Sequence, residues 1–303
     1  MYVPPPSSEM LARQDDLTGL RLLIAQRRLY SRAKRWLGLR WFGMLVIGLA
    51  APVVSVVWPQ LAVVSCSIAG VWLFLARTAL VYAQSTDTAK AAAIQEQFDF
   101  YVFGMPATVT RRELPSLEEL SLIAGADETL MQFASKEKLL NWYPINPNDP
   151  GVVAVAISQR ANATYTDRLL RKTAEIWFAL TIIWVIFLVA FSAAAGISLW
   201  TFLSGVLLPV LPASLDVVQH IVGVWRSAKH RSELAQTIER RLKGDGGPIG
   251  GKELLAWQAR LYELRREAPQ VPDLIYKITR ASNERAMRWA ASYLGRLARR
   301  SDE

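Results

Sequence analysis

Hydrophobic and polar positions separate along this chain into long blocks. No charged residue occurs across the 36 positions from Trp41 to Ala76, nor across the 40 positions from Ile176 to Leu215. A membrane helix needs about 20 apolar residues, so each block is long enough to cross a bilayer twice. Pro59, between Trp58 and Gln60, divides the first block, and the small-residue stretch Ala193–Gly196 divides the second. The pattern predicts two helical hairpins, over about 41–58 and 60–83 and over about 174–193 and 197–222.

The flanking segments carry helical periodicity of a different kind. From Asp16 to Trp36, Leu20, Leu23, Ile24, Arg27 and Tyr30 fall at helical spacing, with Arg21, Arg28, Arg32 and Arg35 on a basic flank. Such a helix either lies on anionic headgroups or packs on the protein's own body. Gln84–Tyr101, Ser116–Ala126 and Glu128–Trp142 read as further helices, the last followed by an extended loop at Pro144, Pro147 and Pro150. Val152–Arg171 runs directly into the third span and is read as helix. Past the fourth span come Ser227–Leu242, a glycine-rich hinge at Gly244–Gly251, a helix bearing Leu254, Trp257, Leu261 and Leu264, and a last one over Asp273–Arg299. The expected architecture is an all-α membrane protein with four transmembrane helices in two hairpins and a mainly helical cytoplasmic body. Its parts are an amphipathic N-terminal helix in 1–40, hairpins in 41–83 and 174–222, an insert in 84–173 and C-terminal helices in 223–303.

Composition agrees with a membrane class. Hydrophobic residues make up 52% and charged residues 20%, and mean hydropathy is +0.18. That is too apolar for a disordered chain and too charged for one buried wholly in lipid. Charge sets the expected sidedness: residues 1–40 carry +5, 77–175 carry −2 and 216–303 carry +6, and the two hairpin turns carry none. Arg35, Arg40, Arg77, Arg171, Lys172, Arg226 and Lys229 flank the ends opposite those turns. The positive-inside rule therefore places the three hydrophilic segments, with both termini, in the cytoplasm. Met1–Met10 is polar and proline-rich, without the apolar core of a cleavable signal, and the only cysteine, Cys66, lies within a span.

Catalytic chemistry is thinly represented. His220 and His230 have no Cys or His partner at metal-ligand spacing, so neither metal nor cofactor is expected. Gly246, Gly251 and Lys252 imitate a phosphate-loop pattern, but Glu253 stands where a hydroxyl is required and the string follows a helix instead of a strand. The sequence is read as that of a non-enzyme. Arg77, Asp216 and His220 are candidate pore or gate residues, Asp216 and His220 sharing a helix face at i, i+4, with snorkelling of Arg77 as the plainer reading. Arg111, Arg112, Trp142, Tyr143, Arg160 and Asn162 are candidates for a ligand site, though nothing in them alone specifies a nucleotide. Arginine grips phosphate bidentately, aromatic faces stack on bases and asparagine reads base edges.

Several strings in order carry a resemblance: LRLLIAQRRLYSRAKRW at Leu20–Trp36, QEQFDFYVFGMP at Gln95–Pro106, NWYP at Asn141–Pro144, SQRAN at Ser158–Asn162 and VPDLIY at Val271–Tyr276. Over nearly its whole length the chain resembles the bacterial SMODS-associated four-transmembrane effectors. It departs from them at Ala107, where the family often carries Trp after the proline. The resemblance implies a pore-forming effector of CBASS-type antiphage systems. A cyclic oligonucleotide made by a cognate synthase would trigger homo-oligomers that permeabilise the inner membrane and abort infection. Lipid bilayer, signal and further copies would be its partners, with no direct DNA or RNA binding. A membrane scaffold or receptor that recruits a cytoplasmic partner without leakage is the alternative.

Overall fold

A computed structural model of the chain describes residues 2–107 and 111–301. Every regular element among them is helical. Helix α1 (Ser7–Asp15) leads into α2 (Leu17–Val57), which opens where the Gly19 N–H donates to Asp16 Oδ1 at 2.7 Å. The basic amphipathic stretch and the first apolar stretch thus form one continuous helix of 41 residues. Of the two readings of the amphipathic part, packing on the protein's own body is the one found, since Leu20, Leu23 and Ile24 are fully buried.

Trp58 leaves helical geometry and Pro59 starts a single 3₁₀ turn (Pro59–Leu61), since proline suits a first helical position and cannot continue the helix before it. Helix α3 (Ala62–Leu75) passes through a π-helical turn, Ala76–Leu80, into α4 (Val81–Phe103). Gly104 ends α4 in the left-handed region, φ 62°. Two short helices follow, α5 (Leu117–Ala124), capped by Ser116, and α6 (Asp127–Glu137). After a proline-rich loop comes α7 (Gly151–Ala194), 44 residues long. Gly196 and the Ser198 cap make the second turn, into α8 (Leu199–Thr201), a π-helical stretch (Phe202–Leu207) and α9 (Leu208–Leu242). Helices α10 (Gly251–Arg266) and α11 (Asp273–Ser301) complete the chain.

Two helical stretches, Pro59–Phe103 and Gly151–Ala194, are long and apolar enough to cross a membrane. A third counts if Leu199–Leu207 and Val210–Leu242, bent by 63°, form one span. The expected four therefore become two or three by this measure. The uncharged part of α2 covers only residues 41–57, short of the usual length of about 20 residues. Side chains along these stretches face outward without protein cover, Val63, Phe74, Ile183 and Trp200 among them.

The other ends of the long helices gather into a packed body. Leu20, Leu23 and Ile24 of α2 meet Phe98 and Phe103 of α4, Leu130 of α6, Val155 of α7, Ile238 of α9 and Leu261 of α10 in one core. The hinge sequence has a structural use here: Arg241 pairs with Glu253 at 2.8 and 2.9 Å, and Glu253 accepts the Gly250 N–H at 3.1 Å as it caps α10. A phosphate loop could not spare that carboxylate.

Close approach in the first hairpin depends on Gly43, where a Cβ would overlap the Trp72 indole. Gly43→Val should force α2 and α3 apart and lower stability by about 1–3 kcal/mol, the usual range for overpacking. Unfolding in detergent checks this, and a wild-type midpoint would show that Trp72 has room to turn away.

Candidate functional site

Polar side chains at apolar helix positions define the first site. On α10, Gln258 and Arg265 share the stripe of Leu254 and Leu261, at spacings that bring all four to one face. Asp99 occupies the matching face of α4 and is fully buried. Its carboxylate accepts from Arg265 Nη1 at 2.5 Å, Gln258 Nε2 at 2.7 Å and the Tyr143 hydroxyl at 2.5 Å. The Tyr143 N–H donates to Gln14 Oε1 at 3.0 Å, which holds the proline-rich loop against α1. Arg265 keeps two donors, Nε and Nη2, buried and without a partner among the described residues.

Tyr143 and Arg265 of this cluster also line a cavity of about 790 Å³ between α2, the loop, α7 and α11. Among the described residues, seven lysines and arginines line it with one carboxylate, Glu284. Lys34 pairs with Asp273 at 2.7 Å, and Arg280 caps the Lys138 carbonyl at 2.9 Å while its side chain faces the Tyr276 ring. Burial holds Lys34 below its ordinary value against the opposing bond to Asp273. Burial would also lower Arg265, but Asp99 and Tyr143 outweigh it and the guanidinium is raised. Burial pushes Tyr30 up to about 12, and burial with the Asp99 charge raises Tyr143 well above the ordinary phenol value. At neutral pH the phenols are therefore neutral donors beside fixed cations. The arrangement suits an anion carrying flat rings, with Trp142 and Tyr165 as aromatic faces on the lining.

Of the ligand-site candidates, Trp142, Tyr143 and Asn162 line this cavity together. Arg111 does not: it forms a bidentate pair with buried Glu96 at 2.7 and 2.9 Å and stacks 3.7 Å from the Tyr262 ring. Arg160 is likewise occupied by Glu239 at 2.6 and 3.0 Å, and Arg112 is exposed, away from the cavity. Arg27, Lys34, Arg265 and Arg280 supply the cations instead. Arg265 was open to discovery from sequence, as a charge inside an apolar stripe; the others fall on faces that sequence alone does not orient.

A second polar site joins the hairpins. Arg77, in the π-helical turn, donates to Asp216 at 2.6 Å from Nη2 and at 3.0 Å from Nε, and Arg40 reaches the same carboxylate at 3.5 Å. Asp216 is thus committed to arginines and not to His220. His220 sits edge-on to Trp41 and Trp177, with ring centroids at 5.0 and 5.5 Å, and the two indoles lie 4.4 Å apart. All four long helical segments meet here, α2 through Arg40 and Trp41, the second through Arg77, α7 through Trp177 and α9 through Asp216 and His220. The half-exposed Arg77 guanidinium is tied to a carboxylate on the other hairpin.

A family model described as the SMODS-associating 4TM effector domain matches residues 8–294. No curated protein and no solved structure matches the chain.

Proposed function

The chain belongs to the SMODS-associating 4TM effector family, and from that membership we propose that it is an antiphage membrane effector that a cyclic oligonucleotide triggers to oligomerise and permeabilise the bacterial inner membrane. Four spans are part of this reading. The uncharged stretches 41–57, 59–76, 176–194 and 199–215 are bounded at one end by Arg40, Arg77, Glu175 and Asp216 and at the other by the two turns. At 1.5 Å per residue they reach about 25–29 Å, close to the hydrocarbon thickness of about 30 Å. Basic residues beside their charged ends favour a cytoplasmic body and cytoplasmic termini.

The observation that carries the trigger is the cavity. Its volume of about 790 Å³ lies in the range of small-molecule sites. Seven cations outnumber the carboxylates that pair with them, Glu284 in the lining and Asp99, Glu137 and Asp273 behind it, and this positive balance suits phosphates; Arg265 Nε and Nη2 also lack a partner among the described residues. In this reading Arg265, Lys34 and Arg280 hold phosphates, Trp142 and Tyr143 border the bases and Asn162 reads a base edge, while Arg111, Arg112 and Arg160 lie outside the site. The wall toward the membrane is continuous with the span ends: Leu169 and Val271 line the cavity and pack in the cluster that contains Ala174 and Val224. Occupancy can therefore move α7 and α9 directly.

Dye release from liposomes holding the purified protein, across a panel of cyclic di- and trinucleotides, tests the proposal. One member of the panel should give release. Silence with every member, in vesicles where insertion is verified, would sink the direct-trigger reading. Trp142→Ala should raise the half-maximal dose of the active nucleotide roughly tenfold, since a base–aromatic stack contributes about 1–3 kcal/mol. Arg112→Ala should leave that dose unchanged. A shift with Arg112→Ala as large as with Trp142→Ala would move the site out of this cavity.

A further inference from the structure

The outward face of α11 is unpartnered over most of its length. From Leu274 to Arg296 its exposed positions hold Leu274, Ile278, Trp289 and Tyr293 together with Lys277, Arg285, Arg288 and Arg296, and no carboxylate. Trp289 is 67% exposed and stacks on Tyr293 with centroids 5.5 Å apart. Lys277, Arg285 and Arg296 form no ion pair among the described residues. An exposed aromatic pair flanked by unpaired cations marks an interaction surface.

The complementary surface lies on the same chain. Helices α5 and α6 expose Leu117 at 81%, Leu122 at 84% and Met131 at 49%, beside Glu118 and Glu128, which form no ion pair among the described residues. Packing fixes both surfaces at matching heights over the span ends. Arg28 of α2 donates to the Ile123 carbonyl, and Arg21 pairs with Asp127. These arginines precede Arg40 by 12 and 19 residues, which places the α5–α6 surface about 18–28 Å above it. Ile275 of α11 packs on Ala174 and Val224 at the span ends. The far end of α11 lies at the start of α7, with Arg299 paired to Asp149. The helix therefore stands away from the bilayer, and Arg285 to Tyr293 lie about 15–27 Å beyond Ile275. A stripe in that attitude faces sideways, toward other molecules held in the same bilayer.

We propose that α11 of one copy docks through Arg285, Trp289, Tyr293 and Arg296 on the α5–α6 surface of the next copy, at Leu117, Glu118, Leu122 and Glu128. This rests on the reading that copies associate in the membrane, and it names the surfaces that join them. The two faces differ, so the contact is head-to-tail, the kind that closes into a ring or extends as a chain.

The test is Förster transfer between labelled full-length copies in phosphatidylcholine vesicles, with the cyclic nucleotide panel present, and dye release read from the same vesicles. Arg285→Glu with Arg296→Glu, or Glu118→Lys with Glu128→Lys, should each reduce association at least tenfold. An equimolar mixture of the two variants should restore it, because each variant then meets opposite charge on both faces; recovery also establishes that both fold. Wild-type copies that stay monomeric, variants that associate like wild type, or a mixture that fails to recover would each overturn the contact. Charge-dependent association without dye release would keep the contact and remove the permeabilising reading. Release without charge-dependent association would do the reverse.

Discussion

Asp99→Asn is expected to destabilise the helical body by about 3–5 kcal/mol, the usual loss when one partner of a buried ion pair is removed. Asp99 is fully buried and Arg265 nearly so. In the wild type the carboxylate receives Arg265, Gln258 and Tyr143 at 2.5–2.7 Å. Asparagine keeps the shape but brings an amide toward at least one of those donors, and the guanidinium loses the carboxylate it pairs with among the described residues. Two of its donors lack a partner already, so nothing nearby can take over the charge. The loss should appear in denaturant unfolding in detergent, together with weaker ligand-triggered release, because Tyr143 and Arg265 form the cavity floor. The double variant Asp99→Leu with Arg265→Met should recover much of the stability without recovering the response. Well-packed apolar groups can replace a buried pair in the fold, but they cannot bind a phosphate. A loss below about 1 kcal/mol for Asp99→Asn would place that carboxylate in contact with water.

Much of the architecture could be read before any coordinates, because it follows from one-dimensional features. The turns at Pro59 and Gly196 interrupt charge-free runs, and the helices of the body carry regular apolar spacing. The continuity of α2 from Leu17 to Val57 was less visible, since the stripe of buried leucines hands over to lipid-facing residues without a break signal. The site was legible in part. Trp142, Tyr143 and Asn162 reach the cavity because a proline-rich loop and the α7 face beside it enclose it. Arg111 and Arg160 have the chemistry to grip phosphate, yet it is spent on Glu96 and Glu239, partners 15 and 79 residues distant. Sequence spacing cannot disclose such partners, since they depend on how α4 and α9 turn their faces. The same ignorance hid Lys34 and Arg280, which seemed ordinary surface cations and lie on the cavity wall.

The other large effect is expected at the junction of the hairpins: Asp216→Asn should make the protein leak without any nucleotide. The Asp216 side chain is 4% exposed and holds Arg77 at 2.6 Å and Arg40 at 3.5 Å, so one carboxylate offsets two guanidinium groups from α2 and the π-helical turn. Neutralising it leaves two like charges facing each other at the margin of a low-dielectric region, where repulsion is strong and the paired state loses its reason to persist. A π-helical turn at Ala76–Leu80 places Arg77 within the bond it makes, and such turns can revert to α-helical winding once that bond is gone. If the proposed function holds, the hairpins would then separate without a signal, so basal dye release should rise at least tenfold and the nucleotide should add little. Arg77→Lys, which keeps one charge but loses the bidentate grip, should give a smaller basal leak and remain responsive. Loss of all release in Asp216→Asn, with normal insertion and folding, would instead assign the cluster to the open path itself. Release indistinguishable from wild type in both variants would reduce Arg77 and Asp216 to a structural tie.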